Sequence, residues 1–121
     1  MDTAARPISL VELARALAGA APPLVLDVRH DARYAEAPNV IAGAQRCAPQ
    51  DIAAFGAAGP PGDVVVYCVH GHEVSQTAAR TLMAAGWPAS FLEGGITAWQ
   101  QAGLPLGPKP PGVVAEAGVW P

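Results

Sequence analysis

The stretch Asp63–Gly86, DVVVYCVHGHEVSQTAARTLMAAG, decides how the chain is read. Val64-Val65-Val66-Tyr67 is an apolar run with the length of a buried strand. Cys68 follows, then a polar turn, Val69-His70-Gly71-His72-Glu73, then a segment of helical period from about Val74 to Ala85. Ala78, Ala79, Leu82 and Met83 give that helix an apolar stripe, and Gly86 suits the position just past its end. A strand feeding a tight loop into a helix N-terminus suits anion binding, because the N–H groups of the loop and of the first helical turn lack intrahelical partners and converge. A cysteine at the mouth of such a nest is expected to ionise more readily, since the partial positive charge stabilises the thiolate. Two readings stand at this point: Cys68 is the nucleophile of a group-transfer site, or it is an inert packed thiol at a strand end.

Bulk properties narrow the classes. The 121 residues fit one domain with a real core. Apolar residues make up 51% and charged residues 14%, which suits a compact α/β domain and excludes a disordered chain. A net charge of −3 without a basic run argues against nucleic-acid or anionic-membrane partners. The N-terminus carries no signal-peptide pattern and no span of 18 apolar residues occurs, so a cytoplasmic location is expected. In a reducing compartment the two cysteines, Cys47 and Cys68, are not expected to pair. Cys68, His70 and His72 match no zinc-ligand spacing, so no metal is expected.

The remaining segments alternate between strand and helix. After a short lead-in over residues 1–7, Ile8-Ser9-Leu10 reads as extended, and Val11 to Ala18 as a helix with a capping box made by Ser9 and Glu12. Leu24-Val25-Leu26-Asp27-Val28-Arg29 has no period-2 alternation, which predicts a strand buried on both faces, as in a parallel sheet. His30 to Ala37 is a short helical or looped piece carrying Tyr34, a short strand lies near Ala44 to Arg46, and Asp51 to Phe55 is a weak helix. Ala89-Ser90-Phe91-Leu92 reads as a strand and Ile96 to Ala102 as a helix carrying Trp99. The pattern predicts an α/β fold, with a mainly parallel central sheet of about five short strands flanked by helices. The domain is expected to span residues 1–106, with a Pro/Gly-rich tail over 107–121. Sites in such sheets form beyond the carboxyl ends of strands, where both Cys68 and Arg29 fall.

Several segments resemble the signatures of rhodanese-like domains. Leu24 to Arg29, Tyr34 and Ala42-Gly43-Ala44 resemble the first signature, and Val65 to Gly71 the active-site cysteine loop. Leu92-Glu93-Gly94-Gly95-Ile96-Thr97-Ala98-Trp99 with Ala102-Gly103-Leu104-Pro105 is similar to the C-terminal signature. The similarity covers roughly residues 8–106. It implies a sulfurtransferase without metal or organic cofactor. Cys68 would take a sulfane sulfur from thiosulfate or a persulfide donor, become a persulfide, and pass the outer sulfur to cyanide, a thiol or a protein sulfur partner. Val69, His70, Gly71, His72, Glu73 and Val74 would form the anion nest, Ser75 would start and cap the helix, and Arg29 would help attract an anionic donor. The other reading of Arg29 is a structural salt bridge with Asp31 or Glu93. Asp27 reads as structural, Cys47 as a packed thiol, and Trp99 and Tyr34 as core or rim residues.

Two departures from the family pattern carry consequences. Ser75 lies seven residues after Cys68, one more than in many single-domain members, so the loop resembles the wider ring of phosphatases and arsenate reductases in the same superfamily. Those enzymes place an arginine six residues after the cysteine; here Val74 stands there, which disfavours oxyanion-acting chemistry because nothing bidentate neutralises a dianion. Glu73 stands where cationic or hydroxyl side chains are common. A carboxylate about 5 Å from a thiolate costs about 3 kcal/mol at an effective dielectric near 20, which counts against thiosulfate as donor. A non-catalytic binding module or sulfur carrier is the alternative class, separated from an enzyme by turnover with a small donor and acceptor.

Overall fold

Strands and helices alternate along residues 5–110, the part of the chain that the computed structural model describes. In order they are β1 (Pro7–Ile8), α1 (Leu10–Leu17), β2 (Leu24–Asp27), α2 (Asp31–Glu36), β3 (Val40–Ile41) and β4 (Gln45–Arg46). A 3-10 turn (Pro49–Asp51) leads into α3 (Ile52–Ala58), then β5 (Val64–Tyr67), α4 (Glu73–Ala84), β6 (Ala89–Leu92), α5 (Gly95–Gln101) and β7 (Leu106–Gly107). Five strands form one wholly parallel sheet in the order β1-β6-β5-β2-β4. The α/β class, the parallel central sheet and its helical layers therefore stand as the sequence predicts.

The sheet is covered on both faces, which is why its strands carry no polar alternation. Leu26, Val64 and Val66 pack with Ile52, Ala78, Ala79, Leu82 and Trp87 on the side of α3 and α4. Val25, Val65 and Tyr67 pack on the other side with Leu13 of α1 and Ile96 and Trp99 of α5. Successive residues of β5 thus enter opposite cores, and all four are buried.

Helix ends follow the local chemistry. Ser9 and Glu12 form the reciprocal capping box. At the far end of α4, Gly86 donates to the Met83 carbonyl and Trp87 to the Leu82 carbonyl, both at 3.0 Å, closing a Schellman motif. Trp87 Nε1 also donates to the Gly56 carbonyl at 3.0 Å and ties α4 to α3.

A second, two-stranded sheet escaped the sequence reading. β3 and β7 pair antiparallel, Val40 with Gly107 and Ile41 with Leu106. Lys109 Nζ then donates to the Tyr34 carbonyl at the end of α2 (3.1 Å) and stands 4.8 Å from the centre of the Tyr34 ring. Of the tail expected over 107–121, residues 111–121 lie outside the described residues, Trp120 among them, as do residues 1–4 of the lead-in.

Candidate functional site

The register of β2 against β5 aligns Asp27 with Tyr67. The chain therefore leaves both strands at the same sheet edge, and Arg29 and Cys68 line one cavity of about 190 Å³. Val69, His70, His72, Glu73 and Val74 line it too, as do His30 and Arg33. Gly71 and Ser75 do not line it; both are buried in the structure that carries the loop.

The loop is built so that its carbonyls face away from Cys68. The Cys68 carbonyl accepts from Ile96 N and the Val69 carbonyl from Thr97 N, both at 3.0 Å. These donors belong to the first turn of α5, so one helix N-terminus is spent on holding the loop. The Gly71 carbonyl accepts from Gln76 Nε2 (3.2 Å), and the His72 carbonyl from Gln76 N (3.1 Å). Among the described residues, the backbone N–H groups from Val69 to Ser75 donate to no protein acceptor. These N–H groups lie where the strand-loop-helix pattern leads one to expect an anion nest.

Two glycines make the loop's approach to α5 feasible. Gly71 has φ +75°, and a Cβ there would lie 2.6 Å from the Leu92 carbonyl oxygen. Gly95 has φ +62°, and a Cβ there would lie 2.5 Å from the carbonyl oxygens of both Cys68 and Val69. Any side chain at either position would push the cysteine loop off its support.

Cys68 is 5% exposed. Its Sγ donates to Ser75 Oγ at 3.2 Å, and Ser75 Oγ lies 3.4 Å from the His72 carbonyl. Contrary to the expectation from the sequence, Ser75 neither starts nor caps α4. The helix begins at Glu73 with His72 as N-cap, whose side chain makes no cap bond. Because the helix starts two residues earlier than Ser75, that side chain lies on the buried face, beside the sulfur, rather than at the helix mouth.

Arg29 is held differently from the expectation of a donor-attracting cation or an ion pair with Asp31 or Glu93. It is 5% exposed, and its Nε donates to both oxygens of the fully buried Asp27 at 3.0 Å. Its Nη2 also bonds Asp27 and the Asn39 carbonyl. Burial opposes the charge on Arg29, yet hydrogen bonding and attraction from Asp27 outweigh it and hold the guanidinium pKa above its ordinary value. Asp27 further accepts from Tyr67 OH at 2.9 Å. Burial first, then the Asp27 charge, pushes the Tyr67 phenol well above its ordinary range. Arg46 closes the cluster by donating to the carbonyls of Asp27 (3.1 Å) and Arg29 (2.6 Å) and to Asp31 (2.8 Å).

Cys47 is 2% exposed and packs in the α3–α4 core. Burial, and then Asp51, push its thiol up to about 11, with Arg46 opposing. Neither cysteine is in a disulfide. Among the described residues no group of three or more His, Cys, Asp or Glu side chains is placed to hold a metal ion, and no helix is long and apolar enough to cross a membrane.

The sequence profile of the rhodanese-like domain matches residues 9–102. The chain belongs to this family. Solved rhodanese-like relatives share its fold. A rhodanese homologue from Thermus thermophilus is 30% identical, with a TM-score of 0.62 over 77% of this chain and 99% of its own. A thiosulfate sulfurtransferase from Pseudomonas aeruginosa is 30% identical with a TM-score of 0.69; the match covers 87% of this chain but only 20% of that one. A Rhodopseudomonas palustris protein described as a possible tyrosine phosphatase is 26% identical, with a TM-score of 0.69 over 85% of each chain. No curated protein matches the chain.

Within the rhodanese-like site, sequence reasoning missed Arg33. It lies on α2 and lines the Cys68 cavity, with only a 3.9 Å contact to Glu36 and its side chain 69% exposed. Its only sequence signal was position: four residues past Arg29, one helical turn back toward the sheet edge.

Proposed function

We propose that this rhodanese-like domain is a sulfurtransferase that works through a persulfide on Cys68. The observation that carries the proposal is the loop from Val69 to Ser75, whose N–H groups are unsatisfied while its carbonyls at Cys68, Val69, Gly71 and His72 are tied down elsewhere. Such a nest is preorganised for negative charge on sulfur and costs no rearrangement when that charge arrives. With thiosulfate, the Cys68 thiolate attacks the outer sulfur, a Cys68–S bond forms, the S–S bond of the donor breaks, and sulfite leaves with the electron pair. The nest and Ser75 Oγ hold the resulting persulfide anion, and a thiol or cyanide then takes the outer sulfur. Arg33 steers an anionic donor to the cavity, while Arg29, clasped by Asp27, fixes the cavity wall.

Val74 weighs against phosphoryl chemistry, since an apolar side chain lines the cavity where a dianion would need a bidentate partner. The test is steady-state sulfur transfer by Cys68→Ser. The variant keeps the wild-type fold and loses turnover to background; transfer at the parent rate rules out the Cys68 persulfide.

A further inference from the structure

The cavity at Cys68 adjoins a second one of about 440 Å³. The larger cavity runs between the 3-10 turn and α3 on one side and α4 on the other, with Ile52, Ala53, Thr77, Ala78 and Thr81 in its lining. His30, Glu73 and Val74 line both cavities and form their common wall. An inorganic sulfur donor needs only the smaller space of about 190 Å³. The larger volume falls in the range of organic ligand sites, about 300–1,000 Å³.

The two cavities differ in cationic lining, and Glu73 stands on the wall they share. Arg29 and Arg33 face only the smaller cavity. Glu73 is the one carboxylate that lines either, it is exposed, and it makes no ion pair among the described residues. A bound donor is therefore met by positive charge at its sulfur end and by negative charge where its body passes into the larger cavity. Taken with the sulfurtransferase reading, on which this rests, the geometry points to a small aminothiol persulfide as the donor. Its sulfane sulfur sits at Cys68, its ammonium faces Glu73, and its carbon skeleton lies along α4. The Cys68 thiolate attacks the outer sulfur of R–S–SH; the Cys68–S bond forms, the S–S bond of the donor breaks, and R–S⁻ leaves with the electron pair and takes up a proton from water. The Glu73 carboxylate, which opposes an anionic donor, becomes the specificity determinant for this one.

The experiment compares loading of Cys68 by freshly prepared cysteamine persulfide, N-acetylcysteamine persulfide and thiosulfate. The acetyl group removes the ammonium and keeps the sulfur chemistry. The wild-type protein is expected to favour cysteamine persulfide about tenfold in kcat/KM, and Glu73→Gln to bring the two within about twofold. Ala53→Trp, at an exposed position that fills the larger cavity, lowers organic persulfide loading relative to thiosulfate by about tenfold. Equal rates with the two organic donors, or a preference that survives Glu73→Gln, overturns the proposal. An unchanged ratio in Ala53→Trp removes the organic body from this cavity and overturns it too. If thiosulfate loads Cys68 while these comparisons fail, the sulfurtransferase reading survives alone. If no donor loads Cys68, both fall.

Discussion

Two neighbouring strands end at the same sheet edge and are finished in opposite ways. At the end of β2, Asp27 is saturated: it accepts from Arg29 and Tyr67, and Arg46 braces the same turn through carbonyl groups. At the end of β5, the loop after Cys68 is less saturated: the carbonyls of Cys68, Val69, Gly71 and His72 are bonded, and among the described residues the N–H groups from Val69 to Ser75 have no protein acceptor. Both ends use buried polar groups beside apolar strands. The first spends them on itself and gains a fixed scaffold. On the proposed function, the second leaves them for a charge that arrives with substrate. Hydrogen-bond saturation therefore separates the structural end from the chemical end better than residue type does, since Arg29 and Cys68 both looked like site residues in the sequence.

The largest effect on stability is expected at the saturated end. Asp27→Asn leaves the buried Arg29 guanidinium without its counter-charge and costs about 3 kcal/mol, read as a lower urea midpoint at unchanged slope. The folded fraction keeps its turnover. Lost turnover in molecules that remain folded would erase the distinction between the two ends.

A smaller and opposite signature belongs to Ser75→Ala. Removing the hydroxyl takes away the sulfur's one side-chain partner and lowers transfer about threefold to tenfold, while stability changes by only about 1 kcal/mol. A stability loss matching that of Asp27→Asn, with full turnover, would make Ser75 a core residue only.

An effect confined to alkaline pH concerns Cys47. Its folded pKa is raised from 9.0 to about 11, so the neutral thiol is the form the core favours. The associated stability is complete below pH 9 and is lost as pH rises through about 11. Urea midpoints measured in this window fall for the wild-type protein and fall less for Cys47→Ala, a difference of roughly 2 kcal/mol at most. Identical slopes would place Cys47 in a wetter setting than the α3–α4 core.

Most of the frame was legible because it is local. The apolar run of β5, the capping box at Ser9 and Glu12, and the Gly86 terminus each follow from a few consecutive residues. The strand-loop-helix order around Cys68 was legible for the same reason. What stayed hidden depends on tertiary packing. β3 and β7 are two residues each, too short for any period, and pair across 65 residues of chain or more. The partner of Arg29 is Asp27, two residues back; the chain has left β2 by Arg29, so strand alternation says nothing of where its side chain goes, and the pairing is set by how the turn after β2 packs. Ser75 reads as the start and cap of α4, whereas the helix begins two residues earlier at Glu73, and two residues turn the side chain by about 200°, on to the buried face. Arg33 became a site residue only when α2 packed over the sheet edge.

The most direct test of the central claim is the intact mass of the purified protein after incubation with sulfur donor, with and without reductant. Thiosulfate and a small organic persulfide are each offered to the wild-type chain and to Cys68→Ser. The expected result is a gain of one sulfur atom, about 32 Da, that reductant removes and that Cys68→Ser never acquires. No reducible gain from either donor, or an equal gain in Cys68→Ser, would contradict a persulfide at Cys68.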